Sequence, residues 1–186
     1  MIKKIFIPKS IIPLLIFSLA LTILRVIIFG KHSLVFISWN LLLSFIPFFV
    51  SSILILLKYK NKLKDWLIII LGVIWLLFLP NAPYLVTDLM HIGVVRAVPA
   101  LYDSIFLFSS ASVGIMFGLY SVSQMKEILN FRFSRKITSI ILFIVMLLTS
   151  FGMYLGRFLR FNSWDVFVNP SYIVDGVKEI FSNNND

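Results

Sequence analysis

An all-α fold, a polytopic bundle of about five transmembrane helices, is what this sequence predicts, and three observations predict it. Apolar residues fill 60% of the 186 positions and charged residues only 13%. Mean hydropathy is +1.00, a surplus of apolar surface that one water-facing domain of this size cannot hide, so lipid has to cover it. The apolar residues gather into five runs of near-membrane length, and lysine and arginine crowd into alternate connections between the runs.

The runs extend over residues 11–29, 34–57, 66–79, 104–122 and 137–155, and a helix of roughly 20 residues crosses ~30 Å of hydrocarbon. In the first, Lys3 and Lys4 precede the apolar run and Ser18, Leu19 and Ala20 outline a leader-peptide cleavage site. The run nevertheless continues to Phe29, broken only by Arg25, as a retained anchor does. Arg25 lies four residues from its end and is expected to snorkel to the interface. In the second run Asn40 is a candidate for a hydrogen bond across the bundle, and Pro47 for a tolerated kink.

The third run has only 14 apolar residues before Pro80. It must tilt little, thin the bilayer, or carry part of the next segment to membrane depth. Ser110, Gly114 and Gly118 in the fourth run, and Gly152 and Gly156 in the fifth, put small residues on one helix face and let backbones approach closely. Packing within the bundle takes precedence over homodimerisation as the use of those faces. No separate soluble domain or repeat is evident, so residues 1–186 are expected to form one integral membrane domain.

Charge sets the expected orientation. Lys3, Lys4, Lys9, Lys58, Lys60, Lys62, Lys64, Lys126, Arg132, Arg135 and Lys136 fall on one side with two acids, Asp65 and Glu127. The other side has Lys31, Arg96, Arg157, Arg160 and Lys178 against Asp88, Asp103, Asp165, Asp175, Glu179 and Asp186. The positive-inside rule then places the N-terminus in the cytoplasm. It also accounts for the net charge of +9 without nucleic acid as a partner. Cysteine is absent, which excludes disulfides, thiolate nucleophiles and thiolate metal sites.

Two polar stretches follow the third and fifth runs and are expected on the outer side. In the first, Pro80 and Pro83 remove N–H donors and disfavour helix at Leu79 and Ala82, so the chain is expected to break at the membrane boundary. Asn81 and Thr87 suit the capping of exposed backbone, and a short helix is expected to restart near Thr87 or Asp88 and run toward His91. Asp88 and His91 would then share a face at i and i+3, with the carboxylate placed to orient the imidazole. Asp103 is expected just ahead of the fourth helix. Asp88, His91 and Asp103 offer oxygen and nitrogen donors, but their spacing matches no established metal pattern, and neither metal nor cofactor is specified. In the second stretch Arg157 and Arg160 present two guanidinium forks from one face if the helix continues, a pairing that suits phosphate or carboxylate. Asn162, Trp164 and Asp165 follow, with Trp164 in the place of an interfacial anchor.

The two stretches, FLPNAPYLVTDLMH and GRFLRFNSWD, in this order among five spans, resemble the membrane-protein family known as domain of unknown function 1361. The resemblance covers nearly the whole chain. It implies a bacterial multi-pass membrane protein of unassigned activity and brings no catalytic residues with it; the plasma membrane is the expected location. Members of such families often carry a further C-terminal span, whereas this sequence ends in Asn183, Asn184, Asn185 and Asp186, so its C-terminus is expected outside.

The functional expectation rests on an outer polar cluster. Asp88 and His91 are the candidate acid/base pair, Arg157 and Arg160 the candidate anion clamp, and Asn81, Tyr84, Asp103, Asn162, Trp164 and Asp165 the supporting residues. One reading is an enzyme acting on an anionic lipid or cell-envelope precursor. The other is a non-catalytic binding, transport-accessory or assembly subunit, its polar network structural or docking a membrane-protein partner. Membrane lipid is the expected surrounding partner in both. No nucleophile elbow, phosphate-binding loop or zincin helix is present, and a lone transporter is disfavoured because the runs carry no acidic residue.

Overall fold

The computed structural model describes residues 8–9, 11–30, 34–93, 98–163, 165–172 and 178. Among them the chain is helical: α1 (Ile11–Phe29), α2 (Phe36–Tyr59), α3 (Asp65–Phe78), α4 (Asn81–Thr87), a 3₁₀ turn (Asp88–His91), α5 (Ala100–Arg132), α6 (Arg135–Phe158) and α7 (Asp165–Val168). Five helical stretches are long and apolar enough to cross a membrane, and α3, α4 and the 3₁₀ turn together make up the third, Asp65–His91. The first run coincides with α1. The fourth and fifth are longer than the apolar runs, because α5 and α6 carry charged residues at their ends into the helix.

The predicted break after the third run is reduced to a two-residue turn, Leu79 and Pro80, between α3 and α4. Leu79 and Pro80 both keep right-handed helical backbone, so the short span is completed by the polar motif. The local hydrogen bonding shows how. The N–H of Ala82 goes to the Leu79 carbonyl (3.1 Å) and that of Tyr84 to the Pro80 carbonyl (3.1 Å). The Phe78 carbonyl, left without the usual i+4 donor, accepts from the Asn81 side-chain amide at 2.9 Å. Pro83 occupies the first turn of α4, where its missing N–H would have had little to bond in any case. A side-chain amide next to the proline thus keeps the chain helical at a depth where unpaired backbone is costly.

α2 and α5 form the centre, and α1, α3 and α6 expose most of their apolar surface, as lipid-facing helices do. Phe48 and Phe117 join α2 to α5 in one half of the core. Leu54, Ile55, Trp75 and Ile128 fill the other half. α4 is seated between the small-residue faces of α5 and α6. A methyl on Gly118 would come 2.9 Å from the Cβ of Ala82, and one on Gly152 would come 2.7 Å from Cγ of Pro80. The glycine spacing therefore serves packing inside the bundle, with the Pro-Asn-Ala-Pro segment as its partner.

The two ends of the bundle differ. At the Lys58 end, Asn61 takes a left-handed conformation (φ 54°). The N–H of Lys62 reaches the Leu57 carbonyl (2.9 Å) and that of Asn61 the Lys58 carbonyl (3.1 Å), a Schellman closure that turns the chain tightly into α3. Lys58 pairs with Glu127 at 3.2 Å and Arg132 with Asp65 at 2.9 Å. The other end, where α2 begins and the 3₁₀ turn and α6 finish, holds the cavity.

Candidate functional site

A cavity of about 550 Å³ opens among the first turns of α2, the α4–3₁₀ segment and the last turns of α6. Asn81, Tyr84, Asp88, His91, Arg157, Arg160 and Asn162 all line it, so two polar stretches 65 or more residues apart in sequence meet at one place. Asp88 lines it with only 1% of its side chain exposed. Its Oδ2 accepts from the Asn40 amide at 3.0 Å, which is the cross-bundle bond expected of Asn40. Its Oδ1 lies 3.5 Å from Nη1 of Arg157 and, among the described residues, has no hydrogen-bond donor.

Arg157 is held from three sides. Besides Asp88, it donates to the Thr87 carbonyl at 3.3 Å, and its guanidinium lies 5.9 Å from the centre of the Tyr84 ring, within cation–π range. Asp88 and His91 lie three residues apart on a 3₁₀ turn, where such positions eclipse, so they share a face as predicted. The predicted Asp88–His91 hydrogen bond is not present among the described residues. Asn40 and Arg157 orient the carboxylate instead, and the imidazole packs edge-on against Phe36 with ring centres 5.4 Å apart.

Arg160 reaches the cavity by a route different from the predicted one. α6 stops at Phe158, so Arg157 and Arg160 do not share a helical face. Arg160 instead adopts φ +57°, and the Phe161 N–H turns back to the Leu155 carbonyl at 3.4 Å. That left-handed conformation normally selects Gly or Asn and costs a side-chain-bearing residue roughly 1–2 kcal/mol. The reversal also brings Ser163 against Asn81, whose amide donates to its hydroxyl at 2.9 Å. Among the described residues Arg160 has neither an ion-pair nor a hydrogen-bond partner.

Two expected supporting residues fall elsewhere. Asp103 is in the first turn of α5, not ahead of the helix, and is fully buried in an ion pair with Arg25. Arg25 accordingly does not snorkel; both side chains are 0% exposed. Apolar α1 had a charged partner waiting on α5, which sequence spacing could not reveal. This pairing also divides the Asp88, His91 and Asp103 donor set, and no three His, Asp or Glu side chains converge among the described residues. Asp165 caps the local turn, accepting from the Asn162 N–H at 2.7 Å, and does not line the cavity. Trp164 lies outside the described residues. Phe36 and Trp39 also line the cavity, beyond the residues the polar motifs point to; their place at the start of α2 is the sequence signal for it.

The family described as Protein of unknown function (DUF1361) matches residues 39–185. The chain belongs to this family. Every cavity residue except Phe36 lies inside the DUF1361 region, whereas α1 with Arg25 lies outside it. No curated protein and no solved structure matches the chain.

Proposed function

We propose that the cavity is an anion-binding site at the outer boundary of a bacterial plasma membrane, in a protein whose N-terminus is cytoplasmic. The ligand is a phosphate or carboxylate group, borne by a lipid or a cell-envelope precursor. The observation that carries this reading is Arg160: a guanidinium without a protein partner among the described residues, held at the cavity by a strained backbone. Strained residues persist where the surroundings over-determine them, and functional sites are where they cluster. Arg160 would grip the anion with Arg157 beside it. Asp88 and His91, on one face of the 3₁₀ turn, are then the groups available to accept and donate a proton at the bound ligand.

A non-catalytic role is the second reading, and one observation favours it: Arg157 is already occupied by Asp88, Thr87 and Tyr84. The two readings part at Asp88→Asn and His91→Gln. With an acid/base role, both variants insert and fold normally but fail to complement loss of the gene; normal complementation by both removes catalysis from these residues. Orientation is tested separately, with single cysteines at Lys62 and Val94. External reagent applied to intact cells should label the second and spare the first, and the opposite pattern would reverse the topology.

A further inference from the structure

The cavity has two chemically different ends. Its ionisable groups, Asp88, His91, Arg157 and Arg160, lie toward the end of the bundle. Its base is formed by Leu43, Pro80 and Gly152, without a charge among them. Pro80 is eight residues below Asp88 along a helical path, about 12 Å at 1.5 Å per residue. Asn81 is the polar side chain nearest this base, and its amide is already taken by the Phe78 carbonyl and the Ser163 hydroxyl.

The walls matter as much as the ends. α2 packs on α3, α4 and α5, and α6 packs on the same three, but no comparable interface joins α2 to α6. α4 is therefore the floor of a cleft with α2 on one side and α6 on the other. Trp39, in the α2 wall, is 54% exposed, so this wall runs on into the exposed apolar surface of the bundle. A free anion in water would use the charged end and gain nothing from the apolar base. A molecule with an anionic head and an apolar chain would use both.

We infer that the ligand is a membrane amphiphile, a lipid phosphate that reaches the cleft from the bilayer between α2 and α6. Its head sits at Arg157 and Arg160, and the first part of its chain descends along Leu43 toward Pro80 and Gly152. This rests on the anion-site reading above and narrows it to a phosphate whose chain occupies the apolar base and enters from the bilayer. In hydrocarbon the chain gains little by leaving other chains; its role is to hold the phosphate at membrane depth beside Asp88, where the head alone would not stay.

The test uses the full chain in nanodiscs containing phosphatidic acid with a diazirine on its acyl chain, photolysed and mapped by peptide mass spectrometry. Chain adducts should concentrate on the segments holding Leu43 and Pro80. Arg160→Gln should reduce them about tenfold, the scale of one lost charge-assisted hydrogen bond. Glycerol 3-phosphate in millimolar excess should not displace them. Adducts spread evenly over the lipid-facing helices, or displacement by glycerol 3-phosphate, would overturn the chain-bearing ligand while a head-group photoprobe still labelled the cavity. If Arg160→Gln changed neither head nor chain labelling, the anion site itself would fall.

Discussion

Two aspartate–arginine pairs stand at the same end of this bundle and have opposite surroundings. Arg25–Asp103 joins α1 to α5 with both side chains 0% exposed, whereas in Arg157–Asp88 the arginine is 20% exposed and borders the cavity. In the sealed pair each charge depends on the other: among the described residues, Nε and Nη2 of Arg25 and Oδ2 of Asp103 have no further partners. In the open pair the arginine can be solvated from the cavity and Asn40 holds the aspartate. The same two residue types therefore serve cohesion in one place and leave a water-accessible surface in the other. Access to water decides which.

The comparison breaks most visibly at Asp103. Asp103→Leu leaves Arg25 buried and uncompensated, which should cost ~3–5 kcal/mol and show as lost folded yield and early unfolding in mixed micelles. The double variant Arg25→Met, Asp103→Leu should recover most of that loss, since replacing both members of a buried pair by apolar groups is often neutral. A double variant as unstable as the single one would mean that the pair does more than satisfy itself.

Next in size is the seat of α4, which places the open pair. Gly118→Ala drives a methyl toward Ala82 and should cost ~1–3 kcal/mol through overpacking, read from the same unfolding midpoint. An unchanged midpoint would show that α4 yields readily and that the cavity is not rigidly built.

Asp88→Asn sharpens the contrast directly. It keeps the shape of the side chain beside an arginine that water can reach, so the expected loss is below ~1 kcal/mol, the scale of an ordinary net hydrogen bond. A loss as large as that of Asp103→Leu would erase the distinction between the pairs. The smallest effect belongs to the far end. Arg132→Ala removes a bridge to Asp65 whose partners are 36% and 77% exposed, and such pairs contribute about 0.2–1 kcal/mol at most. A larger change there would argue that the charged end is more sealed than its exposure indicates.

Much of this architecture was legible in one dimension. Apolar run length specified five crossings because lipid accepts only internally bonded backbone, and the GxxxG-like spacing marked the faces of α5 and α6 that admit a close neighbour. Both polar motifs, with Asp88, His91, Arg157 and Arg160, stood out because polar residues among long apolar runs are few. Other features were not legible. Pro80 and Pro83 argue locally for a break, whereas backbone bonds from Ala82 and Tyr84 carry the chain on and the Asn81 amide takes up the Phe78 carbonyl left over at the turn. The spacing of Arg160 from Arg157 fits one helical face, while the chain in fact reverses at that residue.

The sequence by itself determined the solvent, the helices, the expected orientation and the residues rich enough in chemistry to matter, since each depends on composition or on neighbours a few positions away. Tertiary structure decided the partners. Asp103 went to Arg25 and Asp88 to Asn40 and Arg157 across 78, 48 and 69 positions of chain, and an ionisable group in hydrocarbon is committed by whichever opposite charge packing brings within reach.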